Sequence, residues 1–158
     1  DAVINKQLLD QVDTIRTCFD SAEIALQHAR ILFHATTAES SADRRQQLIN
    51  QLQCLRTKQD SPAIAYQHVK ALVNEVVVEP MPRIRQQLVA EMRTIAAGYD
   101  SREIAVLLAK GLCCAAAGEP DPSIRRQLAD EIQDVNRSHD SSRIADYLAQ
   151  ALANSKHA

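Results

Sequence analysis

Several residue types are scarce in this chain of 158 residues, and each scarcity excludes a class of protein. The chain has no tryptophan, three glycines and only 3% aromatic residues, which argues against a β-rich fold because such folds need turn glycines and strand aromatics. It has no continuous apolar run of the roughly 18 residues that a bilayer-spanning helix requires. A net charge of -2 gives no general attraction to nucleic acid or to anionic lipid.

Motifs for enzyme or metal chemistry are also missing. The four cysteines, Cys18, Cys54, Cys113 and Cys114, include no C-x-x-C pair, so zinc and thioredoxin-type sites lack their spacing. We interpret them as small apolar residues of a reducing compartment, the cytoplasm, and the vicinal pair Cys113-Cys114 as buried rather than redox-active. No glycine-rich phosphate loop and no nucleophile–base set is present at matched positions. We therefore expect no enzyme, no catalytic residue, no metal and no cofactor.

What the chain does contain is a sequence repeat with a period of 40 residues. Seven columns carry one identical residue in all four copies, without insertions between copies. These columns begin at Gln7, Leu8, Asp20, Ser21, Ile24, Ala25 and Leu32. A fixed period of this length is typical of a solenoid, in which each unit buries its apolar face against its neighbours. The sequence therefore predicts one repeat domain, 1–158, with copies at about 1–40, 41–80, 81–120 and 121–158.

Each copy is predicted to contain two helices. Leu8, Val12 and Ile15 stand at i, i+4 and i+7, and their equivalents recur in every copy, which places them on one face of a first helix. Ile24 and Leu32 belong to a similar stripe in a second helix. The predicted fold is an all-α superhelix of eight helices, and the expected ranges are 3–18, 22–38, 43–58, 62–78, 83–97, 102–117, 123–137 and 142–154.

The Asp-Ser columns separate the two stripes and should cap the second helix of each copy. Asp100 and Glu103 have the spacing of a capping box, as do Asp20 and Glu23. Between copies, the prolines of segments 79–82 and 119–122 should end one helix and open the next. The chain begins at a predicted helix cap and ends two residues short of four periods, so we expect it to be part of a longer array.

Two-helix units of this length resemble the α-solenoid repeats of the tetratricopeptide-like, HEAT-like and armadillo-like types. The first helices have neither the tryptophan nor the glycine of a tetratricopeptide unit, and the period is longer. The resemblance is therefore to the superclass and not to one family. It implies a curved, right-handed superhelix whose inner groove binds another macromolecule.

Arginines recur in the first turn of the first helix, where a positive charge is mildly unfavourable against the helix dipole. The arginines that share one column are Arg45, Arg85 and Arg125. They could form a ladder that binds phosphates or an acidic peptide. Alternatively, they pair with the joint glutamates Glu39, Glu79 and Glu119, each with a carboxylate oxygen within about 4 Å. We favour pairing.

Two further columns have structural interpretations. His28 and His68 share a column with Leu108 and Leu148, which indicates a half-buried packing position. Equivalent residues of adjacent copies lie about 10 Å apart, too far to share a metal ion. The glutamine column that begins at Gln7 should bond to carbonyl groups of the joints and close the stack.

The leading functional expectation is a protein–protein interaction scaffold that binds a protein or peptide. Binding would use columns that vary between copies on the solvent side of the first helix. The candidate residues are Asp10, Asp13, Asn50, Gln53, Arg93, Asp130, Gln133 and Arg137. The alternative is a modular RNA-binding protein that uses the arginine ladder, although no aromatic residue recurs at one column throughout. A third interpretation is a spacer or self-assembling array. We expect no membrane partner.

Overall fold

The computed structural model describes residues 7, 9–12, 14–15 and 21–156, and the secondary structure there is entirely helices and short turns. Seven labelled helices follow one another: α1 Ala22–Ala38, α2 Ala42–Lys58, α3 Pro62–Val78, α4 Pro82–Ala97, α5 Arg102–Ala117, α6 Pro122–His139 and α7 Ser142–Lys156. Residues 7, 9–12, 14 and 15 are helical as well, within the first helix predicted for copy one. The all-α prediction is confirmed, and the seven helices begin and end within two residues of the predicted bounds. None of the helices in the described ranges is long and apolar enough to cross a membrane.

The chain forms two compact units, residues 1–71 and 72–158, and the boundary falls inside α3. In the first unit α1 packs against α2. In the second unit each helix from α4 to α7 packs against the next, and α5 also packs against α7. The α5–α7 contact joins the second helices of copies three and four. Neighbouring copies in this unit therefore stack through their second helices, as a helical repeat requires.

The repeated apolar columns form the core. The leucine column is completely buried at Leu32, Leu72 and Leu112, and the isoleucine of the Ile-Ala pair is fully or almost fully buried at Ile64, Ile104 and Ile144. A side-chain carbon on Gly111 would overlap the end of Met92, so the absence of a side chain there lets α5 approach α4 closely. These identical apolar columns thus face neighbouring helices.

The Asp-Ser columns lie in the turns between paired helices, as predicted for Asp60, Asp100 and Asp140, while Asp20 lies outside the described residues. The cap itself is the serine: Ser101 accepts a hydrogen bond from the Ile104 N–H at 3.3 Å, and Ser21 does the same for Ile24 at 3.2 Å. The capping box predicted for Asp100 and Glu103 is therefore wrong, because the helix begins one residue later.

Copy four differs from the others at its outer face. Its second helix, α7, exposes 43% of Leu152, whereas the equivalent Leu112 in α5 is completely buried. Asp146 and Gln150, which replace Val106 and Lys110, are also exposed. Copy three is therefore better covered than copy four at these positions.

The two leucines provide a matched test of this difference. We expect Leu112→Ala to lower the free energy of unfolding by about 2–5 kcal/mol, because it removes a fully buried side chain and leaves a cavity. Leu152→Ala should cost less, since that side chain already contacts solvent. Urea unfolding of the two variants and the parent measures both changes. A larger loss for Leu152→Ala would show that the core and the edge are assigned the wrong way round.

Candidate functional site: the joints and the grooves between first helices

A repeated set of hydrogen bonds holds each joint between copies. The carboxylate of the joint glutamate accepts the backbone N–H two residues later. The three distances are 2.9 Å for Glu39 to Ser41, 2.8 Å for Glu79 to Met81 and 3.2 Å for Glu119 to Asp121. Each N–H donor belongs to the residue that caps the next helix. The bond from Ser41 is the main cause that lowers the pKa of Glu39 from its usual value. The glutamate therefore ties the end of one copy to the start of the next.

The arginine six residues after each glutamate completes the joint from the other side. Its Nη1 donates to the backbone carbonyl of that glutamate, at 3.4 Å for Arg45, 2.6 Å for Arg85 and 2.8 Å for Arg125. Arg85 also donates to the carbonyl of Gly118, and Arg45 and Arg125 each donate to the residue after the glutamate. We call the pairs Glu39/Arg45, Glu79/Arg85 and Glu119/Arg125 the joint clasps.

The joint clasps correct both interpretations of the arginine column. Arg85 and Arg125 are only 9% exposed, so neither stands free in solvent as a binding ladder requires. The hydrogen bonds of Arg85 and Arg125 in the described residues go to backbone carbonyls and not to carboxylates, so the predicted pairing is wrong for these two arginines. In copy two, by contrast, Arg44 of the same first turn lies 3.9 Å from a carboxylate oxygen of Glu39. The guanidinium of each joint clasp reaches back to the carboxyl end of the preceding helix, where the dipole favours a positive charge. This placement removes the apparent penalty of an arginine in a first turn.

The glutamine column does not take the structural role predicted for it. Gln7, Gln47, Gln87 and Gln127 are all exposed. The carbonyl groups at the joints instead accept hydrogen bonds from the arginine column, which precedes the glutamine column by two residues. An exposed column that keeps one identity in every copy is consequently left available for an external ligand.

The first unit contains a groove with a volume of about 340 Å³. Leu9 and Asp10 of copy one form one side, and α2 of copy two forms the other through residues that include Asn50 and Lys58. His28, on α1, is also part of the lining. The groove is therefore bounded by the first helices of two consecutive copies, and its surface carries both charge signs and several amides. The remaining lining residues are Gln51, Cys54 and Leu55.

A second groove, of about 230 Å³, lies in the second unit and shares four repeat columns with the first. Leu108 takes the place that His28 has in the first groove. Three residues of α6 take the places of Cys54, Leu55 and Lys58 in the same order: Asp134, Val135 and Ser138. The other lining residues are Ala96, Tyr99, Ser101, Ala105 and His139. The same helical frame thus forms a groove in both units, while the side chains that line it differ. The first groove is rich in amides, and the second presents Tyr99 and apolar side chains.

The structure divides the sequence-predicted binding residues into two groups. Asp10 and Asn50 line the first groove. Gln53, Asp130 and Gln133 are exposed but lie outside the lining of both grooves. Asp13 lies outside the described residues.

The two arginines among the predicted binding residues are held by carboxylates. Arg93 makes a two-pronged ion pair with Glu131 of copy four, at 2.5 and 2.6 Å, and this hydrogen bond raises the pKa of Arg93. Arg137 donates to Asp134 at 3.0 Å on the exposed surface of α6. Arg93 therefore joins two copies, which is a structural role that column variability did not suggest.

Sequence reasoning missed the columns that continue the groove along the first helix. Asn50, Cys54 and Lys58 follow one another at intervals of four, and Asp134 and Ser138 repeat two of these columns. Residues four apart share a helix face, so this row could have been found by extending the Asn50 column along the helix. Gln47 precedes Asn50 by three residues and continues the same face.

The histidine column and the vicinal pair Cys113-Cys114 are packing positions, whereas Cys54 is not. His28, His68 and Leu108 are buried, deeper than the half-buried position predicted, and Leu148 is half-buried. Cys113 is buried as predicted, Cys114 is half-buried, and Cys54 is exposed in the first groove. Within the described ranges, no group of three or more histidine, cysteine or acidic side chains is arranged to hold a metal ion.

Comparisons of the chain with protein-family models, with curated proteins and with solved structures returned no match.

The joint clasp of copy three can be tested at Gly118. A side-chain carbon there would lie 2.6 Å from the guanidinium carbon of Arg85. We expect Gly118→Ala to displace that guanidinium and to lower the free energy of unfolding by about 1–3 kcal/mol, the usual value of hydrogen bonds to a charged group. Gly98 is the matched control, because it ends a first helix at a similar backbone angle and an added carbon meets only the Ile95 carbonyl, at 3.4 Å. Gly98→Ala should leave stability nearly unchanged in the same urea titration. Equal losses in the two variants would contradict the proposed contact.

We expect the buried cysteines to react more slowly with alkylating reagents than the exposed one. Desolvation raises the pKa of Cys113 to about 11 and also raises that of Cys114, so both thiols stay protonated, and weakly nucleophilic, at neutral pH. We expect iodoacetamide at pH 7 to modify Cys54 before either of them, as measured by mass spectrometry of the tryptic peptides. Faster labelling of Cys113 at pH 7 would contradict its burial.

Proposed function

We propose that this chain is a protein-binding scaffold that holds an extended peptide segment across its first helices. The supporting observation is the groove that recurs at matching columns in both units while its lining changes. A constant frame with variable side chains lets a repeat protein acquire specificity. Volumes of about 340 and 230 Å³ are small for a drug-sized ligand and suit individual side chains of a peptide.

The exposed glutamine column supports an extended main chain as the ligand. Each glutamine amide offers donors and an acceptor, which match the N–H and C=O groups of a peptide backbone. Within each unit, first helices of consecutive copies about 10 Å apart would meet every third residue of an extended chain, since each residue advances it by about 3.3 Å. Glutamines would then bind the backbone, while the grooves accept side chains. This division would make affinity partly independent of peptide sequence and specificity dependent on groove lining.

The joint clasps weigh against the RNA-binding alternative. Arg85 and Arg125 are buried and occupied with backbone carbonyls, so they are poor phosphate ligands. The net charge of -2 adds no attraction to a polyanion.

A peptide selection with two substitutions tests this proposal. Peptides would be selected from a random library displayed on phage, and one selected peptide would be labelled for fluorescence anisotropy. Asn50→Ala, in the first groove, should weaken binding of that peptide by about tenfold, corresponding to about 1.4 kcal/mol. Gln53→Ala is the matched control, because Gln53 is exposed on the same helix but outside the groove lining. It should leave affinity unchanged.

Three outcomes would contradict the proposal. The selection could yield no peptide that binds in solution, or Gln53→Ala could weaken binding as much as Asn50→Ala. Random single-stranded RNA at about 50 mM salt could bind instead and be released as salt rises, which would favour the RNA-binding alternative.

A further inference from the structure

The second groove combines apolar side chains with one carboxylate. Its apolar and aromatic lining residues are Ala96, Tyr99, Ala105, Leu108 and Val135. Asp134 is the one acidic residue among the described residues that line this groove, and none of them is a lysine or an arginine. Such a lining suits a side chain that has a long hydrocarbon stem and a positively charged head.

The backbone adds negative charge to the same groove. Ala96 belongs to the last turn of α4, and Ser138 and His139 are the last two residues of α6. The carbonyl groups at the carboxyl end of a helix carry a partial negative charge, which favours a cation nearby. An aromatic ring such as that of Tyr99 also attracts cations. His139 opposes a cation only when its own imidazole is protonated.

The carboxylate of Asp134 is not required by the repeat frame. The other copies have different, exposed residues in this column: Thr14, Cys54 and Thr94. In the first groove, the column of Ser138 holds Lys58. The first groove therefore has a cation in its lining, whereas the second has an anion and no lysine or arginine.

Asp134 already has a cationic partner that a ligand can replace. Arg137 donates to Asp134 at 3.0 Å, and the two side chains are 68% and 72% exposed. An exposed ion pair of this kind contributes little to stability because water screens it. A ligand cation that also places its stem among apolar side chains therefore has an advantage over Arg137, which lies outside the groove lining.

We propose that the second groove binds an arginine side chain of the peptide, a ligand assignment that rests on the proposed function. The hydrocarbon stem contacts Leu108 and Val135, and the guanidinium pairs with Asp134 in place of Arg137. A guanidinium suits this position because it can pair with a carboxylate and stack on an aromatic ring such as that of Tyr99. The volume of about 230 Å³ accommodates one side chain and is below that of a pocket for a drug-sized molecule.

Three blocked alanine pentapeptides, with arginine, norleucine or glutamate at the centre, are the probes. They would be titrated into the full chain at pH 8, where an imidazole carries little charge. The methyl resonances of Leu108 and Val135 in NMR spectra report binding in the second groove. The arginine peptide should bind about fivefold more tightly than the norleucine peptide, which has a neutral stem, and the glutamate peptide should bind most weakly.

Three variants separate the charge of Asp134 from a general effect of substitution. Asp134→Asn should abolish the preference for arginine and leave the affinity for norleucine unchanged. Asp130→Asn is the matched control, because Asp130 is exposed one turn earlier on α6 and lies outside the lining. It should keep the preference. Arg137→Gln should tighten binding of the arginine peptide about twofold to threefold, because it removes the competing cation.

The arginine assignment and the proposed function fail in different ways. Equal affinity for the arginine and norleucine peptides, or tighter binding of glutamate, would overturn the assignment and leave the scaffold function standing. Loss of the preference in Asp130→Asn, or weaker arginine binding in Arg137→Gln, would do the same. The assignment also fails alone if phage-selected peptides bind while the arginine peptide leaves Leu108 and Val135 unchanged. If neither the probes nor any phage-selected peptide binds, the proposed function itself is wrong.

Discussion

A buried guanidinium at the joint between copies is the interaction on which the described architecture depends. A helix leaves its last carbonyl groups without partners in the helix, and a stack of hairpins repeats this problem at every joint. The joint clasps solve it by sending an arginine from the next helix back to those carbonyls. The arginine backbone lies in the first turn of a helix, where a positive charge is unfavourable. Its guanidinium lies at the carboxyl end of the preceding helix, where a positive charge is favourable. Because the acceptors are backbone carbonyls, the arginine column alone supplies the side chain that this contact needs in each copy.

The joint clasps also decide which polar residues are free for binding. Arginines that seemed suited to phosphate are used in the joints, and Arg93 is used between copies three and four. The polar groups that remain exposed on the first helices include the glutamine column and Asn50. Amides carry no net charge and provide both donors and acceptors, which suits a peptide main chain better than a polyanion. We propose a peptide as the ligand because the arginines are used between copies and the amides remain exposed.

The same columns of the repeat meet different surroundings in copies three and four. Within the second unit, the copy-three face of α5 is covered by copy four, while the same columns of α7 contact solvent. Natural arrays commonly finish with a polar capping repeat. Here Asp146 and Gln150 make the last helix more polar, yet Ala145 and Leu152 keep the identity of the buried columns.

The sequence by itself determined the period, the helices and the identity of the core columns. Periodicity carries this information because helix formation and burial are set by spacing along one chain, and four copies repeat the signal. The partners of Arg85, the exposure of the glutamines and the groove around Asn50 were decided by tertiary structure alone. Each depends on which groups of separate helices meet in space, and a long side chain can reach either a carboxylate or a carbonyl from the same column. Spacing placed the arginine in the joint, but only packing determined that its partners are backbone carbonyls.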